Sequence, residues 1–216
     1  MRSTFAMLLK LKSILRNTQA YDVYNWLRYR LEWLKYVAGY LDRAPHLLKR
    51  RLIASRARDF RPEVFVETGT LFGDMIYAQR NNFRQLYSIE LDDYLFERAH
   101  RRFKRHPQIR ILHGDSGQKI TEVLKELDRP CLFWLDAHYS GGITAHGAEM
   151  TPVFDEIVHI LHHPVKSHVI VIDDARLFNG TDGYPTFRAL RDFVDSIDRG
   201  CLTWIENDTI TIARSA

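Results

Sequence analysis

Val64-Phe-Val-Glu67-Thr68-Gly69-Thr70-Leu71-Phe72-Gly73 is the stretch on which the reading of this 216-residue chain turns. An apolar run of strand-forming residues ends at an acid, a turn with two glycines follows, and a helical pattern begins at Asp74. Gly69 permits a tight turn and close approach of the backbone to a ligand, and Gly73 permits close packing where the helix opens. A strand passing into a helix through such a turn is the first half of a βαβ unit, and a succession of these units makes a parallel sheet.

The same alternation continues outward. Val64–Glu67, Leu86–Glu90, Ile109–Leu112, Cys131–Asp136 and His168–Asp173 read as five strands. Asp74–Asn82, Tyr94–Lys104, Gly117–Leu127, Pro152–His162 and Pro185–Ile197 read as helices, with Thr151 as N-cap and Pro152 at the first helical position of the fourth. Leu202–Glu206 and Thr209–Ala213 flank Asn207-Asp208, a two-residue hairpin signal. The expected fold class is α/β: a doubly wound, mostly parallel sheet to which the terminal hairpin adds an antiparallel strand.

Residues 1–60 differ, and are expected to form a basic, aromatic-rich helical extension to a domain spanning 61–216. Trp26, Tyr29, Trp33, Tyr36 and Tyr40 recur at steps of three and four, with Leu27, Leu34, Val37 and Leu41 alongside, and a second basic helix covers Pro45 to Asp59. Docking on the domain or on another copy of the chain is one use of this stripe, acceptor recognition is a second, and peripheral contact with a membrane surface is a third. For the last, Lys10, Lys12, Arg16, Arg28, Arg30 and Lys35 supply the basic complement.

Composition restricts the class. At 45% hydrophobic and 27% charged residues the chain resembles ordinary globular proteins and can bury a core without staples. A net charge of +4 without a dense basic block makes a nucleic-acid partner a poor expectation. Cys131 and Cys201 each sit in an apolar run without metal-like spacing, which suits buried thiols in a reducing compartment. No apolar stretch approaches the ~18 residues of a membrane span. Met1 to Arg16, broken by Lys10 and Lys12, lacks a small-residue cleavage site, so a cytoplasmic location is expected, with the inner membrane face open to the extension.

The strand ends carry the chemistry. In open α/β sheets, ligands bind beyond the carboxyl ends of the strands. Here those ends hold Glu67, Glu90, Asp115, Asp136 and the pair Asp173-Asp174. Acids are poor strand formers and costly to bury, so a purely structural sheet has no use for this set. The turn departs from Gly-x-Gly-x-x-Gly, because Leu71 stands where the second glycine would be. A carboxylate at Glu67 would repel a pyrophosphate and attract an ammonium group. Glu90 follows Gly73 by 17 residues, close to the spacing at which an acid accepts ribose hydroxyls. An acid for an amine and an acid for a ribose favour S-adenosylmethionine over a dinucleotide.

From Val64 to Ala213 the chain resembles class I S-adenosylmethionine-dependent methyltransferases, a Rossmann-like family. Val64–Gly73 is similar to the family's first motif, Tyr87-Ser-Ile-Glu90 to its second, and His113-Gly-Asp-Ser116 to its third. The resemblance implies a cofactor site of Glu67, Thr68, Gly69, Gly73, Glu90, Asp115, Ser116 and Asp136. Within it, Glu67 and Gly69 would hold the methionine end, Glu90 the ribose, and Asp115 with Ser116 the adenine.

Phe133-Trp-Leu-Asp136-Ala-His138 and Val171-Ile-Asp173-Asp174 place three carboxylates at adjacent strand ends, a ligand set that suits Mg²⁺ or another hard divalent cation. This resembles the metal-dependent O-methyltransferases of the catechol and macrocin (sugar) type, with Asp136, Asp173 and Asp174 as the metal ligands. A metal would lower the pKa of a bound hydroxyl and orient it. His138 is the leading candidate for a general base, with Asp136 as the alternative acting without metal. The glycine-rich loop after Asp136, with Tyr139, Ser140, His146 and Glu149, and the loop Asn179–Tyr184 offer polar groups without an aromatic box, which points to a sugar or glycan precursor as acceptor. Two rival readings stand beside this one. The first is a nucleic-acid or protein methyltransferase docking through its basic N-terminal region, disfavoured by the lack of an Asn/Asp-Pro-Pro-aromatic motif. The second is a non-catalytic binding module for the cofactor.

Overall fold

The computed structural model describes residues 19–41, 43–136 and 152–214, which form two compact units divided after Leu48. The first unit contains α1, Gln19–Val37. The helix ends where Gly39 turns left-handed (φ +76°). There the Gly39 and Tyr40 N–H groups donate to the Tyr36 and Lys35 carbonyls, satisfying carbonyls that the last turn leaves open. Tyr24, Leu27, Leu31, Leu34 and Val37 are exposed along it, while Tyr29 is buried and stacks on His46. No helix among the described residues is long and apolar enough to cross a membrane.

The second unit begins inside α2, His46–Phe60. The sequence reading assigned this helix to the extension. Instead, Lys49, Leu52, Ile53 and Arg56 form a buried face, and Leu52 and Ile53 pack in one core with Phe65, Met75, Ile76 and Leu132. The helix belongs with the sheet because its apolar pair sits one turn in from each of two inward-facing basic residues.

Seven strands follow: β1 Val64–Thr68, β2 Gln85–Glu90, β3 Ile109–His113, β4 Cys131–Leu135, β5 Val169–Ile172, β6 Cys201–Glu206 and β7 Thr209–Arg214. The helices are α3 Asp74–Gln79, α4 Asp93–Phe103, α5 Ser116–Lys125, α6 Pro152–His162, a 3-10 turn Ala175–Leu177, and α7 Phe187–Ile197. The strand order is β3-β2-β1-β4-β5-β7-β6, with β1 to β5 parallel and β7 antiparallel to both neighbours. This is the expected doubly wound sheet with its hairpin strand. Asn207 (φ +50°) and Asp208 (φ +59°) make the tight turn between β6 and β7, as a type I′ hairpin requires.

Two cores flank the sheet. Val64, Val66, Phe133 and Leu135 point to the side of α5, α6 and α7; Phe65, Leu132, Trp134 and Val171 point to the side of α2, α3 and α4. Strands covered on both faces read as near-continuous apolar runs, broken here by the acid Glu67 and by Thr68, and β1, β4 and β5 are buried throughout. The alternation of side chains then fixes where the acids point. Glu67, Ser88, Glu90, Asp136 and Asp173 share parity with Phe65, Leu86, Trp134 and Val171, so all lie toward the α2–α4 face. The boundaries moved by one to three residues at most sites, mainly where caps act. Thr186, for example, accepts the Ala189 N–H at 3.1 Å and starts α7 at Phe187. The expected cap Thr151 lies outside the described residues.

Candidate functional site

The turn between β1 and α3 is held in an unusual backbone conformation. Gly69 (φ +81°), Leu71 (φ +49°) and Gly73 (φ +70°) are all left-handed. For Leu71, which has a Cβ, this costs about 1 kcal/mol, and the surroundings must enforce it. Glu90 does so by accepting the Leu71 N–H at 2.7 Å, while the Gly69 and Thr70 N–H groups donate to the Ile89 carbonyl. A Cβ on Gly73 would lie 2.6 Å from Phe103 Cε2, so the helix opens in close contact with α4. Arg102 fastens the far side by donating to the Phe72 carbonyl and to Asp74.

The predicted cofactor acids converge on this turn. Glu67 is 2% exposed and enclosed between the turn and β2, where Ser88 donates to its Oε2 at 2.7 Å and Thr70 pairs with Ser88 at 2.7 Å. Burial pushes its carboxyl up to about 8 against the pull of the Ser88 hydrogen bond, with Asp136, Asp74 and Glu90 adding to the rise. Glu90 is spent on backbone: besides Leu71 it accepts the Asp92 N–H at 3.0 Å. Asp115 caps α5 through the Gln118 N–H at 3.2 Å, and Ser116 opens that helix. On the opposite side of β1, Thr68 Oγ1 and Glu156 Oε2 are buried and neither makes a hydrogen bond of normal geometry. Burial pushes Glu156 up to about 8, opposed by a hydrogen bond from Ser116.

These features fit S-adenosylmethionine. Among the described residues, the buried Glu67 carboxyl beneath the turn takes its side-chain hydrogen bond from Ser88, a neutral donor. Gly69, itself exposed, leaves the space that a side chain would fill.

The reaction end is next to it. β1 and β4 are adjacent and in register through Thr68↔Leu135, so Asp136 falls against Gly69. The Asp173 N–H donates to the Leu135 carbonyl at 2.9 Å, which sets Asp173 beside Asp136 across the next strand pair. One oxygen from each of Asp136, Asp173 and Asp174 lies within 4.8 Å of the others, so the three predicted ligands do converge. Asp174 adopts φ +55°, and its N–H donates to Asp173 Oδ1 at 2.7 Å.

A lysine reaches this cluster from 125 residues away. Lys49 Nζ is 2.5 Å from Asp173 Oδ1 and 3.0 Å from Asp174 Oδ1. Arg176 also donates to Asp174 Oδ1, at 2.6 Å, and is backed by Asp208 from the β6–β7 turn. Burial alone would lower the Lys49 ammonium, but Asp173 and Asp174 outweigh it and hold it above its ordinary value. Burial likewise raises Asp174, but Lys49 and Arg176 prevail and keep it below the usual carboxylate range. Asp173 is pushed up by burial and by the neighbouring carboxylates, against Lys49.

His138 and the polar groups Tyr139, Ser140, His146 and Glu149 lie outside the described residues. Sequence reasoning missed Lys49, Arg176, Asp208 and Glu156. For Lys49 a signal was present: it stands at i−3 and i−4 to Leu52 and Ile53, on the face that had to be buried, and a buried ammonium needs an anionic partner.

A scan against protein-family models returned no match, and a search of curated protein sequences returned none. Solved structures are similar in fold. An O-methyltransferase from Bacillus cereus in complex with S-adenosylhomocysteine superposes with TM-score 0.57 at 13% identity, covering 85% of this chain and 88% of that one. An O-methyltransferase from Streptomyces achromogenes involved in tomaymycin synthesis, in complex with S-adenosylmethionine, gives 0.54 at 16% identity, covering 87% and 88%. A methyltransferase from Podospora anserina bound to S-adenosylhomocysteine gives 0.52 at 14%, covering 78% and 79%. The chain has the Rossmann-like fold of class I methyltransferases.

Proposed function

We propose that this protein is an S-adenosylmethionine-dependent O-methyltransferase. One observation carries the reading: the Gly69 turn, ringed by Glu67 and Glu90, is in contact with Asp136, so a cofactor site and a site for a reacting hydroxyl share one boundary. When bound, the cofactor supplies an electrophilic methyl carbon on a sulfonium. Glu67, whose carboxyl is pushed up to about 8, is neutral near pH 7 on its own; the cationic end of the cofactor would favour its ionised form and be held by it. Glu90 orders the turn through Leu71 and leaves lone pairs for the ribose, and Asp115 keeps Oδ2 for the adenine amine.

With the cofactor bound, its methyl group would pass to the acceptor oxygen as sulfur takes back the C–S electron pair, and the acceptor's hydroxyl proton would be taken by Asp136 or by His138. A sugar or glycan-precursor hydroxyl is the proposed acceptor class. The loop after β5 supports this, because Asn179, Thr181 and Asp182 present polar groups to solvent on the segment that follows Asp173 and Asp174 in the chain. Charge assistance at the acceptor is assigned to that cluster. Its three carboxylates have the oxygen chemistry and span that a divalent cation takes, but Lys49 already holds two of them, so the ion does not fit the arrangement as it stands.

Methyl transfer from labelled S-adenosylmethionine to polyol, sugar and catechol acceptors tests the reading. Labelled polyol or sugar product supports it in full, and catechol product alone would move the acceptor class. If the cofactor is bound but no acceptor of any kind is methylated, the binding-module alternative stands instead.

A further inference from the structure

Two of the four inward positions of α2 carry positive charge, and buried charge must be matched. Arg56 meets Glu206 at 2.5 Å near the hairpin, whereas Lys49 is directed into the two carboxylates that follow β5. A divalent ion sits about 2.0–2.6 Å from its oxygen ligands. An ion bridging Asp173 and Asp174 through their Oδ1 atoms would therefore need nearly the position that Nζ holds, 2.5 and 3.0 Å from the same two atoms. Arg176 takes Asp174 Oδ1 as well, and the Asp174 N–H takes Asp173 Oδ1. The oxygens facing Lys49 are already supplied with donors.

We propose that Lys49 stands in the place of the divalent cation. Its ammonium neutralises and orients Asp173 and Asp174, excludes the ion while it is there, and lets methyl transfer run without added metal. The bonds made and broken are those of the transfer above, and no bond to a metal enters. Lys49 is thus a positioning residue supplied by a helix outside the βα units. Its role in turnover rests on the methyltransferase reading; its exclusion of the ion does not.

The test uses the full chain and Mn²⁺ alone as probe, followed by electron paramagnetic resonance, with circular dichroism and cofactor binding checking the fold of each variant. Wild type is expected to leave Mn²⁺ free at concentrations where Lys49→Met binds it, and to keep its turnover in EDTA. Lys49→Met in EDTA should lose turnover by about 100-fold or more, with part regained on adding Mn²⁺. A lysine serving stability alone would give no Mn²⁺ rescue. Lys49→Gln serves if Lys49→Met does not fold. Wild-type Mn²⁺ binding that Asp173→Asn removes would overturn the proposal, as would a folded Lys49→Met or Lys49→Gln that binds no Mn²⁺. Failure of every variant and of wild type to bind S-adenosylmethionine would count against the methyltransferase reading, while the Mn²⁺ comparison still decides the lysine.

Discussion

Gly69 and Asp136 are in contact: a Cβ built on Gly69 would lie 3.1 Å from the Asp136 Cβ and 3.3 Å from its Oδ2. The register of β1 on β4 produces this approach, and it joins the cofactor turn to the acidic cluster. Gly69→Ala must therefore pay twice, in left-handed backbone (φ +81°) and in displacement of Asp136. The expected stability loss is about 1–2 kcal/mol in urea unfolding. The expected loss of cofactor affinity in calorimetry is about tenfold or more, since a shift of 1.4 kcal/mol suffices for that. Unchanged cofactor affinity would mean the turn does not carry the ligand.

Glu90 and Asp173 separate the two halves of the site. Glu90→Ala releases the Leu71 N–H that holds a strained residue, so cofactor binding should weaken by about tenfold to 100-fold, in line with 1.5–3 kcal/mol for a hydrogen bond to a charged group. Asp173→Asn should leave cofactor affinity within about threefold and reduce turnover by about 100-fold or more. Calorimetry and a transfer assay on the same preparations check both, and the opposite pattern would exchange the assigned roles.

Much of this was legible in the sequence. Five apolar runs ending in acids specified the parallel sheet, and Asn207-Asp208 specified the hairpin. The carboxylates Asp136, Asp173 and Asp174 could be grouped because neighbouring parallel strands end at similar heights. The site's cations were not legible in the same way. Lys49 and Arg176 reach one carboxylate, Asp174, from opposite directions, and Asp208 meets Arg176 only because β7 inserts beside β5. The Lys49–Asp174 and Arg176–Asp208 pairs span 125 and 32 residues and leave no local spacing to read, although Arg176 itself stands two residues after Asp174. Nothing in the helix Pro152–His162 marked Glu156, since its burial depends on α6 packing against α5.

Acid stability should depend on His168. Burial, with His163 and Lys166 nearby, pushes its imidazole down to about 4. Its Nδ1 accepts the Cys131 N–H at 3.1 Å and its Nε2 meets His163 Nδ1 at 2.9 Å, so the neutral ring is the one that fits. The folded pKa lies below the unfolded value of 6.5, so the contribution is present above pH 6.5 and is lost as pH falls toward 4. The size of the shift sets this at roughly 3 kcal/mol. His168→Asn should be less stable than wild type at pH 7, with the gap closing by pH 4 in urea titrations; a constant gap would contradict this.

Glu156 works in the other direction. Its folded pKa, about 8, lies above its ordinary value of 4.5, so its favourable neutral form contributes fully below pH 4.5 and is lost as pH rises through 8. Glu156→Gln keeps the shape without the charge. Relative to wild type, the variant should gain stability between pH 5 and pH 8, by up to about 5 kcal/mol. Equal pH dependence of the two proteins would show that Glu156 is ionised and paired in the fold.

The central claim is that the turn from Glu67 to Gly73 binds S-adenosylmethionine. Isothermal titration of the full chain with that cofactor, in EDTA and then in Mg²⁺, tests it most directly. The predicted result is one site of micromolar affinity in both buffers, weakened in Glu90→Ala. No heat of binding at high micromolar cofactor in either buffer would contradict it.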